Sequence, residues 1–249
     1  MRAHRVSLFL LCLSAAQAAQ ALNADELVAK NAEARGGLDK IGAIKDLKFD
    51  GQLRVSGFFG TIDLAYTLYK KAPDSLRGEA TVQGLTQVQA WDGKEAWRIS
   101  PFQGRKDPER LSAEDAKSLA DGASISGQLV DYRGKGSKVE YLGTEDVDGT
   151  EAHKLKVTLK NGDIEYIYLD PDHFLEIRAV GQRKVRGTEV EDITDYGDYE
   201  QVAGVWFPFA ISSRSKDGGN ATTITIDKGE ANTGLDAAMF AFPAAKSAQ

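Results

Sequence analysis

Residues 47–68 read LKFDGQLRVSGFFGTIDLAYTL, and apolar and polar side chains alternate through most of this stretch. Successive side chains of a β-strand point to opposite faces, so a period of two predicts a strand with one apolar and one wet face. Phe58-Phe59-Gly60 separates two such runs, and the stretch is therefore predicted to be a β-hairpin. The apolar positions are Leu47, Phe49, Leu53 and Val55 in the first run, and Ile62, Leu64, Tyr66 and Leu68 in the second.

The same alternation continues along most of the chain, with tight-turn signals between the runs. Asp92-Gly93, Asp148-Gly149 and Asn161-Gly162 each separate two alternating segments, and Asp-Gly and Asn-Gly are strong signals for short hairpin turns. We count about ten or eleven strands in all. Because the connections between them are short, the strands are predicted to form an antiparallel meander.

Three segments interrupt this rhythm with helical patterns. Asn23 followed by Glu26 is typical of a capped helix start, and that helix is predicted to run to about Arg35. Further helical pieces are predicted over residues 112–121 and 124–132.

A sheet of so many strands must curl or split to hide its apolar face. The predicted fold class is α+β, mainly antiparallel β, with a curved sheet whose concave face is covered by the helices.

The N-terminal residues 1–21 have the order of features that is typical of a secretory signal peptide. Arg2 and Arg5 precede an apolar stretch over residues 6–16. That stretch of about eleven residues is too short to span a bilayer. Small residues follow it, as a cleavage site requires. We therefore predict export of the protein.

Cleavage is predicted after Ala21, with Ala18 as the alternative. It removes Cys12, which is the single cysteine of the chain. Residues 22–249 are then expected to form one domain without a thiol. An exported domain without disulfides fits a bacterial periplasm better than a eukaryotic secretory route.

Composition and motifs argue against several classes of function. The formal net charge is -6, which disfavours nucleic-acid binding because that binding rests on neutralising phosphates. No nucleotide loop, catalytic triad or cofactor motif is present, so we predict neither an enzyme nor a cofactor.

His153 is interpreted as a solvated strand residue. For His173, beside Asp170 and Asp172, a turn is favoured over a metal site, which would need further ligands. No metal is predicted.

The apolar faces of the strands are the candidate binding surface. Binding pockets are concave and largely apolar, and a curled sheet beneath helices offers such a place. Periodicity alone does not distinguish a filled core from a cavity, so both interpretations stay open. The candidate ligand-binding residues are Phe49, Leu53, Val55, Ile62, Leu64, Tyr66, Leu68, Trp91, Trp97 and Ile99.

Several motifs, taken in order, resemble the periplasmic outer-membrane lipoprotein-sorting (LolA-like) family. After the export signal, the first helix ends in Ala34-Arg-Gly-Gly-Leu-Asp-Lys-Ile41, and the middle of the chain carries Trp91-Asp-Gly-Lys-Glu-Ala-Trp97. Tyr168-Leu-Asp-Pro-Asp172 and the late Gly204-Val-Trp-Phe-Pro208 follow. The resemblance covers the whole of the predicted mature chain.

The resemblance implies a half-barrel that carries acyl chains of a lipid or lipoprotein between the inner and outer membranes. It implies an inner-membrane transporter and an outer-membrane acceptor as partners. It also implies a role for an arginine whose side chain points into the barrel, as in the classical carriers of the family. Arg54 is a tempting counterpart, although its even position opposes Leu53 and Val55. A lipid-sensing module acting on a membrane signalling partner is the alternative function, and a hydrolase is a third.

Overall fold

The computed structural model describes residues 22–57, 60–185, 187–219 and 221–244. The predicted signal peptide, Cys12 and the Phe58-Phe59 turn lie outside these residues. The described chain forms a sheet of 13 strands in the order β6-β5-β4-β3-β2-β1-β13-β12-β11-β10-β9-β8-β7. The strands are β1 Asp46–Gly57, β2 Gly60–Lys71, β3 Ser75–Val82, β4 Leu85–Trp91, β5 Ala96–Ser100, β6 Arg105–Arg110, β7 Lys138–Val147, β8 Thr150–Thr158, β9 Ile164–Leu169, β10 Glu176–Val185, β11 Thr188–Val202, β12 Val205–Ser215 and β13 Ala221–Ala231.

The hairpin read from residues 47–68 is confirmed. β1 and β2 pair antiparallel from Asp46 opposite Lys71 to Gly57 opposite Gly60, with Leu53 opposite Leu64. Odd residues of β1 therefore share a face with even residues of β2. The alternation in the sequence thus places both apolar rows on one side of the sheet.

The sheet is open, as the half-barrel prediction required. Neighbouring strands are antiparallel throughout, β1 pairs with β13, and the sheet ends at β6 on one side and β7 on the other. The expected count of about ten or eleven strands was too low. β6, with the sequence RKDPER, shows no apolar alternation because it is an edge strand, where charged residues and proline are used to discourage further pairing.

Two of the predicted helices are confirmed, with their caps. In α1, Ala24–Ala34, the Asn23 side chain accepts from the Glu26 main-chain N–H at 3.0 Å, and the Glu26 carboxylate accepts from the Asn23 N–H. The short α2 spans Leu38–Ala43. In α3, Ala113–Gly122, the Ser112 hydroxyl caps the Asp115 N–H.

The helix predicted over residues 124–132 is wrong. Residues 125–136 form a series of turns instead. Gly127 and Asp131 have positive φ values of 78° and 51°, and a right-handed helix cannot continue through such residues. We call residues 123–137 the crossing segment, because Ile125 and Leu129 lie in different clusters of the core.

The two main core clusters lie on one face of the sheet, called here the inner face. The first joins Ile41 and Ile44 of the α2 region to β1, β12, β13 and Ile125. The second joins Leu27 of α1 to β8, β9 and Leu129. The α1 and α2 regions and the crossing segment thus pack against the inner face at both clusters.

The opposite, outer face is covered near one edge by the C-terminal residues. Trp97 is 1% exposed and donates its indole N–H to the Phe240 carbonyl at 2.8 Å. Phe242 packs against the Trp97 ring with the ring centroids 6.4 Å apart. Phe240 and Phe242 therefore attach the C-terminal residues to an apolar part of the sheet. None of the described helices is both long and apolar enough to cross a bilayer.

Candidate functional site

A cavity of about 310 Å³, called here the central hollow, lies between the inner face of the sheet and the crossing segment. This volume is within the range of small-molecule sites. Four strands that are neighbours in the sheet supply its apolar wall, because β1 pairs with both β2 and β13, and β13 pairs with β12. Its aliphatic members are Leu47, Leu68, Ile211, Ile224 and Ile226.

Aromatic side chains form one end of this wall. Phe49 makes edge contacts with Phe207 and Phe209, at centroid distances of 5.6 and 6.1 Å. Gly229 makes room for this cluster. A Cβ atom at that position would lie 2.5 Å from a Val202 methyl and 2.9 Å from the Phe49 ring. The cluster therefore depends on close approach of the β13 backbone.

The part of the central hollow that is lined by Arg35, Lys70 and Glu176, called here its polar end, adjoins the aromatic residues, because the Arg35 guanidinium lies 5.9 Å from the Phe207 ring centroid. Arg35, from the end of α1, is 8% exposed, and its guanidinium donates to the Ser126 carbonyl at 2.6 Å. Lys70, from β2, donates to the Ser124 carbonyl at 3.4 Å. The Tyr199 hydroxyl donates to the Glu176 carbonyl at 2.8 Å. The hollow therefore has the layout of an amphiphile site, with an apolar wall and a charged end.

A second cavity of about 290 Å³ adjoins the central hollow. The two share Lys70, Ser124, Gly127, Glu176 and Tyr196 in their linings. The second cavity is more acidic, since Asp121, Asp163 and Glu165 also line it. Lys70 and Glu176 thus stand at the junction of an apolar and a polar space.

Burial changes the ionisation of the groups at this junction. Burial, helped by Arg35 and Lys135, lowers the pKa of Lys70 to about 8. Burial raises the pKa of Glu165 to about 7, and the neighbouring Glu176 acts in the same direction. It also raises the pKa of Glu176, which Arg35 partly opposes. Charged forms of these side chains are therefore all disfavoured by lost hydration.

The predicted ligand-binding residues fall into distinct places. Phe49, Tyr66 and Leu68 line the central hollow. Leu53 joins Tyr66 and Leu68 in lining a neighbouring cavity of about 330 Å³. That these residues bind a ligand stays a prediction, but the structure brings them to one continuous hollow surface.

The remaining β1 and β2 candidates lie farther along the hairpin, beyond the central hollow. Leu64 is 6% exposed and is a core residue, Val55 is half-buried, and Ile62 is 47% exposed. None of these three residues lines a cavity described above. The hollow therefore occupies only the half of the hairpin that includes Leu47 and Lys70.

Placing Trp97 and Ile99 on the same face as Trp91 was wrong. Ala90 pairs with Trp97, and Val88 with Ile99, so odd residues of β5 share a face with even residues of β4. Trp97 and Ile99 accordingly pack with Val88 on the outer face. Trp91 has the opposite orientation and lines a separate large groove near α3.

Several polar residues of the hollow were missed by sequence reasoning. Lys70 follows Tyr66 and Leu68 at the next even position of β2, so the alternation in the sequence could have placed its side chain on the same face. Arg35 and Glu176 had no local signal, because each comes from the end of an element. Arg54 does not enter the hollow, since its exposed guanidinium pairs with Asp63 at 2.7 Å.

The two histidines of the described chain lie elsewhere. His153 is not the solvated residue expected from the sequence. It is half-buried, 3.0 Å from the Tyr141 hydroxyl and stacked on Phe174, and burial lowers its pKa. His173 is exposed and bonded to Asp170 in the predicted turn. Among the described residues, no three potential metal ligands are grouped.

Comparisons with known proteins were made by sequence and by structure. No protein-family model and no curated protein matches the sequence. Three solved structures share the fold over most of their length. A DUF1329 family protein from Desulfovibrio piger has a TM-score of 0.64 at 14% identity, covering 88% of this chain and 97% of that one.

The other two structures bear the name of the family that the sequence resembles. An outer membrane lipoprotein-sorting protein domain from Vibrio parahaemolyticus has a TM-score of 0.61 at 14% identity, covering 88% of this chain and 97% of its own. A LolA superfamily protein from Nitrosomonas europaea has a TM-score of 0.62 at 15% identity, covering 89% and 98%. Identities this low establish architecture alone, and the chain therefore has the LolA-like fold.

Proposed function

We propose that this protein is a carrier that holds acyl chains of a lipid or lipoprotein in the central hollow. The observation that carries the proposal is the apolar wall formed by Leu47, Phe49, Leu68 and Ile224 around about 310 Å³. Each methylene transferred from water to such a wall contributes about 0.8 kcal/mol. One long chain therefore supplies ample affinity without any chemical step.

Carriage between the inner and outer membranes of a bacterium is the setting we propose. It is supported by the signal-like residues 1–21 and by the LolA-like fold. Two of the structural neighbours are named as lipoprotein-sorting and LolA superfamily proteins. An inner-membrane donor and an outer-membrane acceptor are the partners that such a carrier needs.

The hollow favours binding over catalysis in this proposal. Its charged groups bond to main-chain oxygens, as Arg35 does with Ser126, and so hold the crossing segment in place. Nucleophilic catalysis would need a nucleophile in hydrogen-bond contact with a base. In the described linings, the Ser124 hydroxyl is bonded to the Ser126 hydroxyl and the Gly127 carbonyl rather than to a basic side chain.

Occupancy of the hollow is tested with a side chain that fills it. Leu68→Trp places an indole in the central hollow, whereas Leu142→Trp adds one at a position that is 50% exposed on β7. Both variants and the parent protein are titrated with a fluorescent acyl probe. We expect Leu68→Trp to weaken binding at least tenfold, and Leu142→Trp to bind as the parent does.

Lipid carried from the cell gives an independent measurement. Protein purified from periplasm without detergent is extracted with organic solvent, and acyl species are quantified by mass spectrometry. Leu68→Trp should carry less lipid than the parent. Absence of acyl species from the parent, together with no probe binding, would refute the carrier proposal.

A further inference from the structure

Two cations are built into the wall of an otherwise apolar cavity. Arg35 and Lys70 both line the central hollow, and Arg35 is 8% exposed. Lys70 also lines the two cavities that adjoin it. An acyl chain alone needs no charge there, and a single bond from each cation to the crossing segment does not require a full positive charge in the wall.

Neither cation is neutralised by the hydrogen bonds that it makes. Within the described chain, Arg35 donates to the Ser126 carbonyl at 2.6 Å, and Lys70 to the Ser124 carbonyl at 3.4 Å, near the upper limit for such a bond. A guanidinium has five N–H donors and an ammonium has three. Both groups therefore retain donors for another acceptor.

A third cation, Lys135 of the crossing segment, adds to the positive charge. Lys135 donates to the Ser126 hydroxyl at 3.0 Å and to the Val130 carbonyl at 2.8 Å. Its ammonium acts with Arg35 to depress the pKa of Lys70. Mutual repulsion of buried cations costs free energy that an anion would recover.

The acidic neighbour does not fully cancel this charge. Glu176 is the carboxyl group that lines the central hollow, and Arg35 interacts with it at a distance. Burial favours the neutral form of Glu176, and that form can donate a hydrogen bond to an anion. The polar end of the hollow is therefore suited to a negatively charged group.

We propose that the polar end of the central hollow binds the anionic head group of an amphiphile through Arg35 and Lys70. Its alkyl chain then lies along the wall that includes Leu68 and Ile224. A carboxylate and a phosphate share the required chemistry. This inference rests on the proposed carrier function and narrows its cargo to chains that end in an acid group.

A matched pair of ligands isolates the head group. Hexadecanoate and its methyl ester have the same chain, and each is titrated at pH 7 by displacement of a neutral fluorescent probe from the full protein. The acid should bind at least about tenfold tighter, as expected for a charge-assisted hydrogen bond in a water-poor site. Equal affinities would overturn the head-group inference and leave the carrier proposal standing. Failure of both ligands to bind would overturn both.

The role of Lys70 is tested with a control one residue away. Lys70→Met should lower the preference for the acid over the ester about tenfold. Lys71→Met, on the outer face, should leave this preference unchanged. Lys70→Gln is a second variant with the same expectation if the methionine variant folds poorly. An unchanged acid preference in the folded Lys70 variant would contradict the inference.

Two further ligands separate the sources of the anion. Dodecyl phosphate should compete as dodecanoate does, because both offer charged oxygens on an alkyl chain. Inorganic phosphate alone should compete at least a hundredfold more weakly, because it lacks the apolar contact. Equal competition by free phosphate would indicate a simple anion site and would overturn the amphiphile proposal.

Discussion

The role assigned to Trp97 depends on the face of the sheet on which its side chain lies. It is 1% exposed, its indole N–H is bonded to the Phe240 carbonyl, and the Arg77 guanidinium lies 5.4 Å from its ring centroid. These contacts are all on the outer face. Its role is therefore to attach the C-terminal residues to the sheet.

We expect Trp97→Ala to destabilise the protein by about 3–5 kcal/mol, the usual cost of removing a large buried aromatic side chain. Chemical denaturation monitored by circular dichroism measures the change. Acyl-probe affinity of the folded fraction should equal that of the parent. Loss of probe binding in a variant that remains folded would show that Trp97 acts in the hollow after all.

Glu165 should make stability depend on pH. Burial, with Glu176 and Asp121 nearby, raises its pKa from 4.5 to about 7. The folded protein then holds a proton that the unfolded chain has released, so the contribution of Glu165 to stability is fully present below pH 4.5 and is lost as the pH rises to 7.

Glu165→Gln removes this dependence. Between pH 4.5 and 7, the parent should lose about 2–3 kcal/mol relative to Glu165→Gln, once partial exposure of the side chain is allowed for. Urea unfolding at several pH values measures the difference, with Glu189→Gln on the exposed surface of β11 as the control. Parallel pH profiles for the parent and Glu165→Gln would contradict the assignment.

At the scale of elements, the crossing segment links the two halves of the inner face. Ile125 packs in the cluster with β1, β12 and β13, and Leu129 packs in the cluster with β8 and β9. Between them, Arg35 and Lys135 hold the Ser126 main chain and side chain. The segment thus closes the hollow without regular secondary structure.

The preceding helix, α3, depends on its cap. The Ser112 hydroxyl oxygen accepts from the Asp115 N–H at 3.1 Å. Ser112→Ala should therefore cost about 1 kcal/mol in thermal or chemical unfolding, whereas Ser112→Asn should restore most of it. Equal losses in both variants would argue against a capping role.

At the scale of the whole molecule, the sheet is open and its inner face is only partly filled. The cluster around Leu155 is a filled core, whereas Leu47, Phe49 and Ile226 of the other cluster line a hollow of about 310 Å³. Side chains around a void lack contacts that a close-packed interior would supply. A ligand in the hollow should therefore complete the core.

Ligand binding should stabilise the entire fold, because only the folded chain has the hollow. At a free ligand concentration of 100 times Kd, the unfolding free energy should rise by about 2.7 kcal/mol. Thermal melts with increasing dodecanoate measure this shift. Lys70→Met should show a smaller shift at the same concentration. A melting temperature that does not depend on ligand would contradict binding to the native state.

The sequence by itself determined the sheet and its faces in the hairpin that begins at Leu47. Strands have an exact period of two, so apolar alternation and Asp-Gly or Asn-Gly turns were sufficient to predict a curved antiparallel sheet, and the family resemblance of the sequence implied the half-barrel. They also placed Phe49, Tyr66 and Leu68 on the surface that became the hollow. The predicted face of Trp97 was wrong, because odd residues of β5 pair with even residues of β4 and therefore lie on the face opposite to Trp91.

Only the tertiary structure decided where the inner face is filled and where it is hollow. Alternation in the sequence predicts which side chains share a face of each strand. It predicts neither the curvature of the sheet nor the path of residues 123–137 across it. Arg35, Lys70 and Glu176 are far apart in the chain and meet only because α1, β2 and β10 converge there. A charged end on an apolar cavity is a product of long-range packing, and no local pattern encodes it.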